Sequence, residues 1–127
     1  MNKKIVELNE ANFDQEVLNA TQPVLVEFWA AWSEPCKARL PMLESMAGDN
    51  CGPIKVARVN VEDYEILTER YGVRGVPTLL LFKQGSLPEQ IVGPTTEQAV
   101  REKLKSLTSK IVQRNPRPQE TTELAAR

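Results

Sequence analysis

Short apolar runs alternate along the chain with segments whose apolar residues recur at helical spacing. Residues 24–30 are apolar at nearly every position, as in a strand that is covered on both faces of a parallel sheet. Residues 54–61 and 78–82 form similar runs, and residues 4–8 and 89–92 are shorter strand candidates. The hydrophobic pattern therefore predicts five strands, with the last two forming a hairpin.

Four segments between and after these strands have apolar residues at helical spacing. They begin at Asn12, after the run WSEP, at Glu62 and at Thr95. Asn12 and Thr95 are predicted to start helices through capping boxes, and Ile66 and Leu67 are predicted to face the interior. The order β-α-β-α-β-α-β-β-α predicts an α/β fold in which helices flank a central mixed sheet.

A single domain accounts for most of the 127 residues. Residues 1–112 contain all the predicted strands and helices. Residues 113–127 are polar and contain two prolines, and such a segment buries too little apolar surface to offset the entropy of ordering it. We therefore predict one domain at 1–112, followed by a flexible tail at 113–127.

Composition excludes several classes of function. The net charge is −1, so no basic surface for nucleic acid is indicated. The chain has no histidine and only two cysteines, which argues against His-ligated metals and against a four-ligand zinc or iron–sulfur site within one chain. No cofactor is expected. No run is long enough to span a bilayer, and the N-terminal residues lack the apolar stretch of a signal peptide. A cytoplasmic protein without membrane contact is therefore expected, in a compartment where thiols stay reduced.

The run WSEPCK holds the candidate chemistry. Cys36 falls in the first turn of a predicted helix, where the helix dipole favours a thiolate, whereas the nearby Glu34 opposes one. Ser33 is suited to cap the same helix, and Pro35 fits the first turn because it needs no N–H there. Cys36 is thus either a reactive thiol or a small buried apolar residue.

Four stretches of the sequence together resemble thioredoxin, in order and at its spacing over about residues 1–110: VEFWAAWSEPCK, IKVARVNVED, YGVRGVPTLLLFKQG and IVG. The resemblance implies the thioredoxin fold. It also implies an active site where the strand at 24–30 meets the following helix. This location agrees with the general position of sites at the carboxyl ends of strands in α/β proteins.

The predicted site departs from the family at two positions. Thioredoxins carry W-C-G-P-C where this chain has W-S-E-P-C. In the family the first cysteine attacks a substrate disulfide and the second resolves the mixed disulfide. Here Ser33 replaces the attacking cysteine, and Cys36 matches the resolving one. The residues of this site loop are Trp32, Ser33, Glu34, Pro35, Cys36 and Lys37.

A charged pair is implied beneath the site. By resemblance, Glu27 matches the family's buried aspartate, which relays a proton from the resolving cysteine, and Arg58 matches the lysine beside that aspartate. Because arginine does not readily give up its charge, a fixed Glu27–Arg58 pair is expected to hold Glu27 ionised. A structural role for the pair is therefore favoured over a catalytic one.

The resemblance also implies a binding groove for extended polypeptide next to a cis-proline at Pro77. The groove residues that match the family are Trp32, Gly75, Val76, Pro77, Val92 and Gly93. This surface does not depend on the missing cysteine.

Two functions are consistent with these residues, so whether the chain is an enzyme stays open at this point. The first is weak monothiol exchange, in which Cys36 forms mixed disulfides with polypeptide partners or with glutathione. The second is a redox-silent module that holds polypeptides in the groove. A disulfide between Cys36 and Cys51 is not expected, because the helix between them separates the two residues by more than a disulfide can span.

Overall fold

The computed structural model describes residues 5–48, 54–84, 86–91 and 96–114. The strands are β1 (Val6–Leu8), β2 (Val24–Trp29), β3 (Lys55–Asn60), β4 (Thr78–Phe82) and β5 (Glu89–Ile91). A π-helical turn, Asp14–Leu18, lies between β1 and β2. The helices are α1 (Glu34–Gly48), α2 (Glu65–Arg70) and α3 (Glu97–Arg114).

The five strands form one mixed sheet in the order β1-β3-β2-β4-β5. β3 pairs in parallel with β1 and with β2, whereas β4 runs antiparallel to β2 and to β5. The expected α/β fold with a central mixed sheet is therefore confirmed. The apolar run at 24–30 supplies β2 in the middle of the sheet, where hydrogen-bonded strands cover both of its edges.

Alternation of side chains along β2 divides the interior into two layers. Val24, Val26 and Phe28 belong to a core cluster that also contains Phe13 and Phe82. On the opposite face of β2 lie Leu25, Glu27 and Trp29. That second face carries the only buried charge among the described residues, Glu27, which is 1 % exposed.

Two helix predictions were wrong in detail. In α2, Leu67 is 1 % exposed but Ile66 is 62 % exposed, because this helix of six residues buries only one side of its surface. Asn12 makes no capping box with Gln15. Instead, Asn9 and Asn12 exchange side-chain to main-chain hydrogen bonds of 2.8 Å, which fix the turn before residues 14–18.

Helix α3 begins after Thr96, whose hydroxyl oxygen accepts a hydrogen bond of 3.2 Å from the Ala99 N–H. Thr95, the predicted first residue, lies outside the described residues. The helix extends to Arg114, so residues 113 and 114 are helical although the boundary was set at 112. Residues 115–127 lie outside the described part, and their flexibility stays a prediction. No helix in the described ranges is long and apolar enough to cross a membrane.

Candidate functional site

Ser33 forms the junction between β2 and α1. Its N–H donates to the Ala30 carbonyl at 3.2 Å, and its own carbonyl accepts from the Lys37 N–H at 3.1 Å. Its hydroxyl oxygen accepts a hydrogen bond of 3.3 Å from the Cys36 N–H. This is the geometry of a serine N-cap, which satisfies one main-chain donor of the first helical turn.

Of the four residues that follow, Cys36 alone is buried. Glu34 and Pro35 are exposed, Cys36 is 4 % exposed, and Lys37 is exposed again. The Lys37 ammonium lies 3.3 Å from the Glu34 carboxylate. Because both groups face water, their attraction adds little to stability. The thiol of the site is thus covered, while the charges around it are solvated.

Cys36 borders a cavity of about 200 Å³. Its lining residues are Trp29, Ala31, Cys36, Lys37, Leu40 and Arg58. We refer to this space as the thiol cavity. The sequence prediction contained Cys36, Lys37 and Arg58 but not Trp29, Ala31 or Leu40. Ala31 and Leu40 lie close to the WSEPCK run in the sequence, and this proximity could have identified them as residues of the site.

A second cavity of about 220 Å³ contains three of the residues predicted for the polypeptide groove, and we refer to it as the groove. Its lining residues are Trp32, Val61, Thr68, Val73, Arg74, Gly75 and Val76. Trp32 is 65 % exposed, so its ring is available to a ligand. A Cβ atom added to Gly75 would meet nothing within 4 Å, which leaves this wall of the groove open. Cys36 is not among the residues that line the groove.

The segment beside the groove contains the proline that the sequence singled out. The Val76–Pro77 peptide bond is cis. The hydroxyl of Thr78 donates a hydrogen bond of 2.6 Å to the Gly75 carbonyl and closes the turn before β4. The structure thus brings Trp32, Gly75 and Val76 together. Val92 and Gly93, the other predicted groove residues, lie outside the described residues.

Sequence reasoning missed four groove residues, Val61, Thr68, Val73 and Arg74. Val73 and Arg74 directly precede Gly75, so their position in the chain was a usable signal. Val61 follows β3 at the same sheet edge where β2 leads into Ser33, and carboxyl ends of parallel strands meet at one edge. Thr68 had no such signal, since it comes from the middle of α2.

Glu27 is a buried ionisable group with a strongly perturbed pKa. Its Oε2 atom is buried and has no hydrogen-bond partner. Burial raises the pKa of Glu27 from 4.5 to about 7, although the positive charges of Arg58 and Arg39 act in the opposite direction. Desolvation outweighs attraction here because no donor compensates for the water that the carboxylate loses.

The expectation of a fixed Glu27–Arg58 pair was wrong. Their main chains are register partners across β2 and β3, but no ion pair joins the two side chains within the described part of the protein. Arg58 instead lies 3.6 Å from the Glu7 carboxylate, and its guanidinium carbon is 3.9 Å from the centre of the Trp29 ring. Glu27 is therefore not held in its ionised form.

Arg58 and the neighbouring Trp29 each have a buried N–H donor without a hydrogen-bond partner. The Arg58 Nε and the Trp29 Nε1 are buried and make no hydrogen bond. Stacking on Trp29 and the longer contact to Glu7 account for the orientation of the guanidinium. In the described ranges, no group of three or more Cys, His, Asp or Glu side chains could hold a metal ion.

Comparisons with known proteins agree on one family. The thioredoxin family model matches residues 4–106. A thioredoxin from Pseudomonas aeruginosa is 44 % identical over 93 residues, which is 73 % of this chain and 86 % of that protein. A thioredoxin from Thiocapsa roseopersicina is 42 % identical over 68 % of this chain and 96 % of its own length. Thioredoxin 2 from Chlorobaculum tepidum is 38 % identical over 82 % of this chain and 95 % of its own length.

Proposed function

This chain belongs to the thioredoxin family, a family of the thiol-disulfide oxidoreductase kind, and on that premise we propose that it acts through one active-site cysteine. Cys36 forms mixed disulfides with polypeptide partners in weak monothiol exchange. The chain does not reduce disulfides by a two-thiol cycle. The partners are polypeptides that lie in the groove, with glutathione as a second thiol. The chain itself is expected in the cytoplasm.

The observation that supports this proposal is the hydrogen bond of 3.3 Å from the Cys36 N–H to the Ser33 hydroxyl oxygen. Three positions before Cys36, where the family has its attacking thiol, this chain places a buried hydroxyl that caps α1. A hydroxyl cannot form a disulfide with Cys36. The intramolecular step that would release a reduced substrate is therefore missing.

Monothiol exchange needs only Cys36 and external thiols. The Cys36 thiolate attacks one sulfur of a disulfide, a bond forms between Cys36 and that sulfur, and the other sulfur leaves as a thiolate. A second thiol, for which glutathione is suitable, then attacks the mixed disulfide and returns Cys36 to its thiolate. Because this second step is bimolecular, it lacks the advantage of a neighbouring thiol.

Glu27 is the group that we assign to proton transfer at this site. With a pKa of about 7, its carboxyl is divided between its two protonation states near neutral pH, which suits a general acid or base. Arg58 links the two parts of the site, since it lines the thiol cavity and also attracts the Glu27 carboxylate. The absence of a fixed ion pair favours this role over a purely structural one.

Polypeptide binding is assigned to the groove that Trp32, Gly75 and Val76 line. An extended segment beside Val76 and Pro77 can make main-chain hydrogen bonds, as in strand addition. The exposed Trp32 ring supplies apolar surface against it. The open space at Gly75 leaves room for the backbone of the ligand.

A second function, a redox-silent polypeptide-binding module, is favoured by the burial of Cys36. A thiol that is 4 % exposed must become accessible before it can attack. If it does not, the groove still binds polypeptide while Cys36 serves only as a small apolar side chain.

A capture experiment with a defined ligand separates the two functions. Scrambled ribonuclease, an unfolded protein with disulfides, is incubated with the Cys51→Ser protein and with Cys51→Ser/Cys36→Ser, each with and without dithiothreitol. Monothiol exchange predicts an adduct that reductant and Cys36→Ser both abolish. Equal capture in all four samples would support the binding module instead, and capture in none would refute the assignment of the groove.

A further inference from the structure

Cys36 and the residues of the polypeptide groove line two different cavities. Cys36 lines the thiol cavity together with Trp29, Lys37 and Arg58. The groove is lined by Trp32, Val61, Thr68, Val73, Arg74, Gly75 and Val76. Among the described residues, none of these also lines the thiol cavity. A ligand that reaches Cys36 through the thiol cavity therefore does not have to occupy the groove.

The thiol cavity admits a small molecule. Its volume is about 200 Å³, and a cavity of roughly 150 Å³ can hold a molecule the size of benzene. A short aliphatic disulfide can place one of its two halves in such a space.

The charges of the thiol cavity are positive. Its lining residues in the described part of the chain include Lys37 and Arg58 but no Asp or Glu. In the described part of the chain, Lys37 pairs with the exposed Glu34 at 3.3 Å, and the ion pair of Arg58 with Glu7 is longer, at 3.6 Å. A solvated contact such as that of Lys37 neutralises a charge only in part, so the Lys37 ammonium remains able to attract an anion. Arg58 is less available, because it also attracts the Glu27 carboxylate.

The remaining lining surface is apolar. Ala31, Leu40 and Trp29 provide it, and Cys36 is another of the lining residues. A matching ligand has a short aliphatic stem that ends in a carboxylate. The stem would contact the apolar walls while the carboxylate approaches the Lys37 ammonium at the exposed end.

We infer that the thiol cavity binds low-molecular-weight thiols and disulfides that carry a carboxylate on a short aliphatic stem, and that Cys36 exchanges disulfides with them there. In the step, the Cys36 thiolate attacks the small disulfide, a Cys36–sulfur bond forms, and the other half leaves as a thiolate. This inference rests on the proposed monothiol chemistry and names its small-molecule substrate class.

Two probes of similar size and opposite charge test the inference. Dithiodipropionate and cystamine are reacted separately with the Cys51→Ser protein, and the adduct on Cys36 is timed by intact mass spectrometry. Each rate is divided by the rate of the same probe with a small neutral thiol, which removes differences in intrinsic reactivity. The anionic probe is expected to react faster by about tenfold, and added salt should reduce this ratio.

Two matched variants test whether the ratio of the two probe rates depends on the charge of the thiol cavity. Lys37→Gln removes a lining cation and should lower the ratio by about threefold. Arg70→Gln removes a half-exposed cation on α2 that lines neither space, and it should leave the ratio unchanged. Circular dichroism establishes that both variants are folded.

The possible failures are distinguishable. Equal rates, or faster reaction of cystamine, would overturn the inference while the adduct itself upholds monothiol chemistry. A ratio that Lys37→Gln and Arg70→Gln lower equally would also overturn it, because the preference would then come from the overall field. No adduct with either probe, when both probes modify the urea-unfolded protein, would refute the inference together with the proposed function.

Discussion

The hydroxyl oxygen of Ser33 accepts a hydrogen bond from the main-chain N–H of Cys36 at 3.3 Å. One side chain thereby determines two properties of the site. It caps the first turn of α1, and it leaves Cys36 without a neighbouring thiol. Substitutions at position 33 can separate the two properties. The stability of the helix start depends on an oxygen acceptor at this position, whereas disulfide chemistry depends on a thiol.

Removing the cap should destabilise the fold. Ser33→Ala is expected to lower the free energy of unfolding by about 1 kcal/mol, because the Cys36 N–H loses its acceptor. Ser33→Gly removes the same hydroxyl but leaves a residue that is tolerated at an N-cap, so its cost should be only a few tenths of a kcal/mol. Urea denaturation of the three proteins measures the difference. Equal losses in the two variants would mean that packing, rather than capping, is the role of Ser33.

Glu27 should make the stability of the protein depend on pH. Its pKa is raised from 4.5 in the unfolded chain to about 7 in the folded protein, so the folded protein holds a proton that the unfolded chain releases. The stability that comes from this proton is fully present below pH 4.5 and is lost as the pH rises through about 7. The total loss is about 3 kcal/mol.

The neutral variant Glu27→Gln removes this dependence. Its stability should fall less than that of the wild type between pH 5 and pH 8, and the two urea-denaturation curves should separate toward high pH. Glu10→Gln, at an exposed position, is the matched control and should follow the wild type. If wild type and Glu27→Gln ran parallel across this window, the raised pKa would be refuted.

The structure allows a matched test of the groove. Trp32 and Ile66 are 65 % and 62 % exposed, but only Trp32 lines the groove. Trp32→Ala should weaken binding of carboxymethylated, unfolded α-lactalbumin by about 2 kcal/mol, or roughly 30-fold, as at an aromatic binding hot spot. Ile66→Ala should not. Both should leave stability within about 0.5 kcal/mol of the wild type. Equal effects on binding, measured by titration calorimetry, would place the ligand elsewhere.

The local pattern of apolar residues was sufficient to predict the sheet. The run around Phe28 is buried on both faces, so its continuous hydrophobicity identified the central strand without knowledge of its partners. The helix start at Ser33 was equally local, because a cap is defined by residues three positions apart. The resemblance added the order of the site residues.

Properties that depend on distant packing were not predictable in this way. Arg58 was expected to pair with Glu27, but the Trp29 ring and Glu7 orient its guanidinium, and neither contact follows from sequence spacing. Ile66 was predicted to face the interior together with Leu67, yet the direction in which a short helix faces is set by what it packs against. The separation of Cys36 from the groove likewise required three-dimensional positions.

Reduction of insulin disulfides by dithiothreitol tests the central claim most directly, when the Cys51→Ser protein is compared with Cys51→Ser/Ser33→Cys. The added cysteine lies three positions before Cys36 and supplies the missing intramolecular thiol. We predict that the Cys51→Ser protein accelerates the reduction negligibly. The Cys51→Ser/Ser33→Cys variant should give a rate on the order of 100-fold higher, because a neighbouring thiol acts at high effective concentration. Comparable acceleration by both proteins would contradict the account, since a single cysteine would then suffice for turnover.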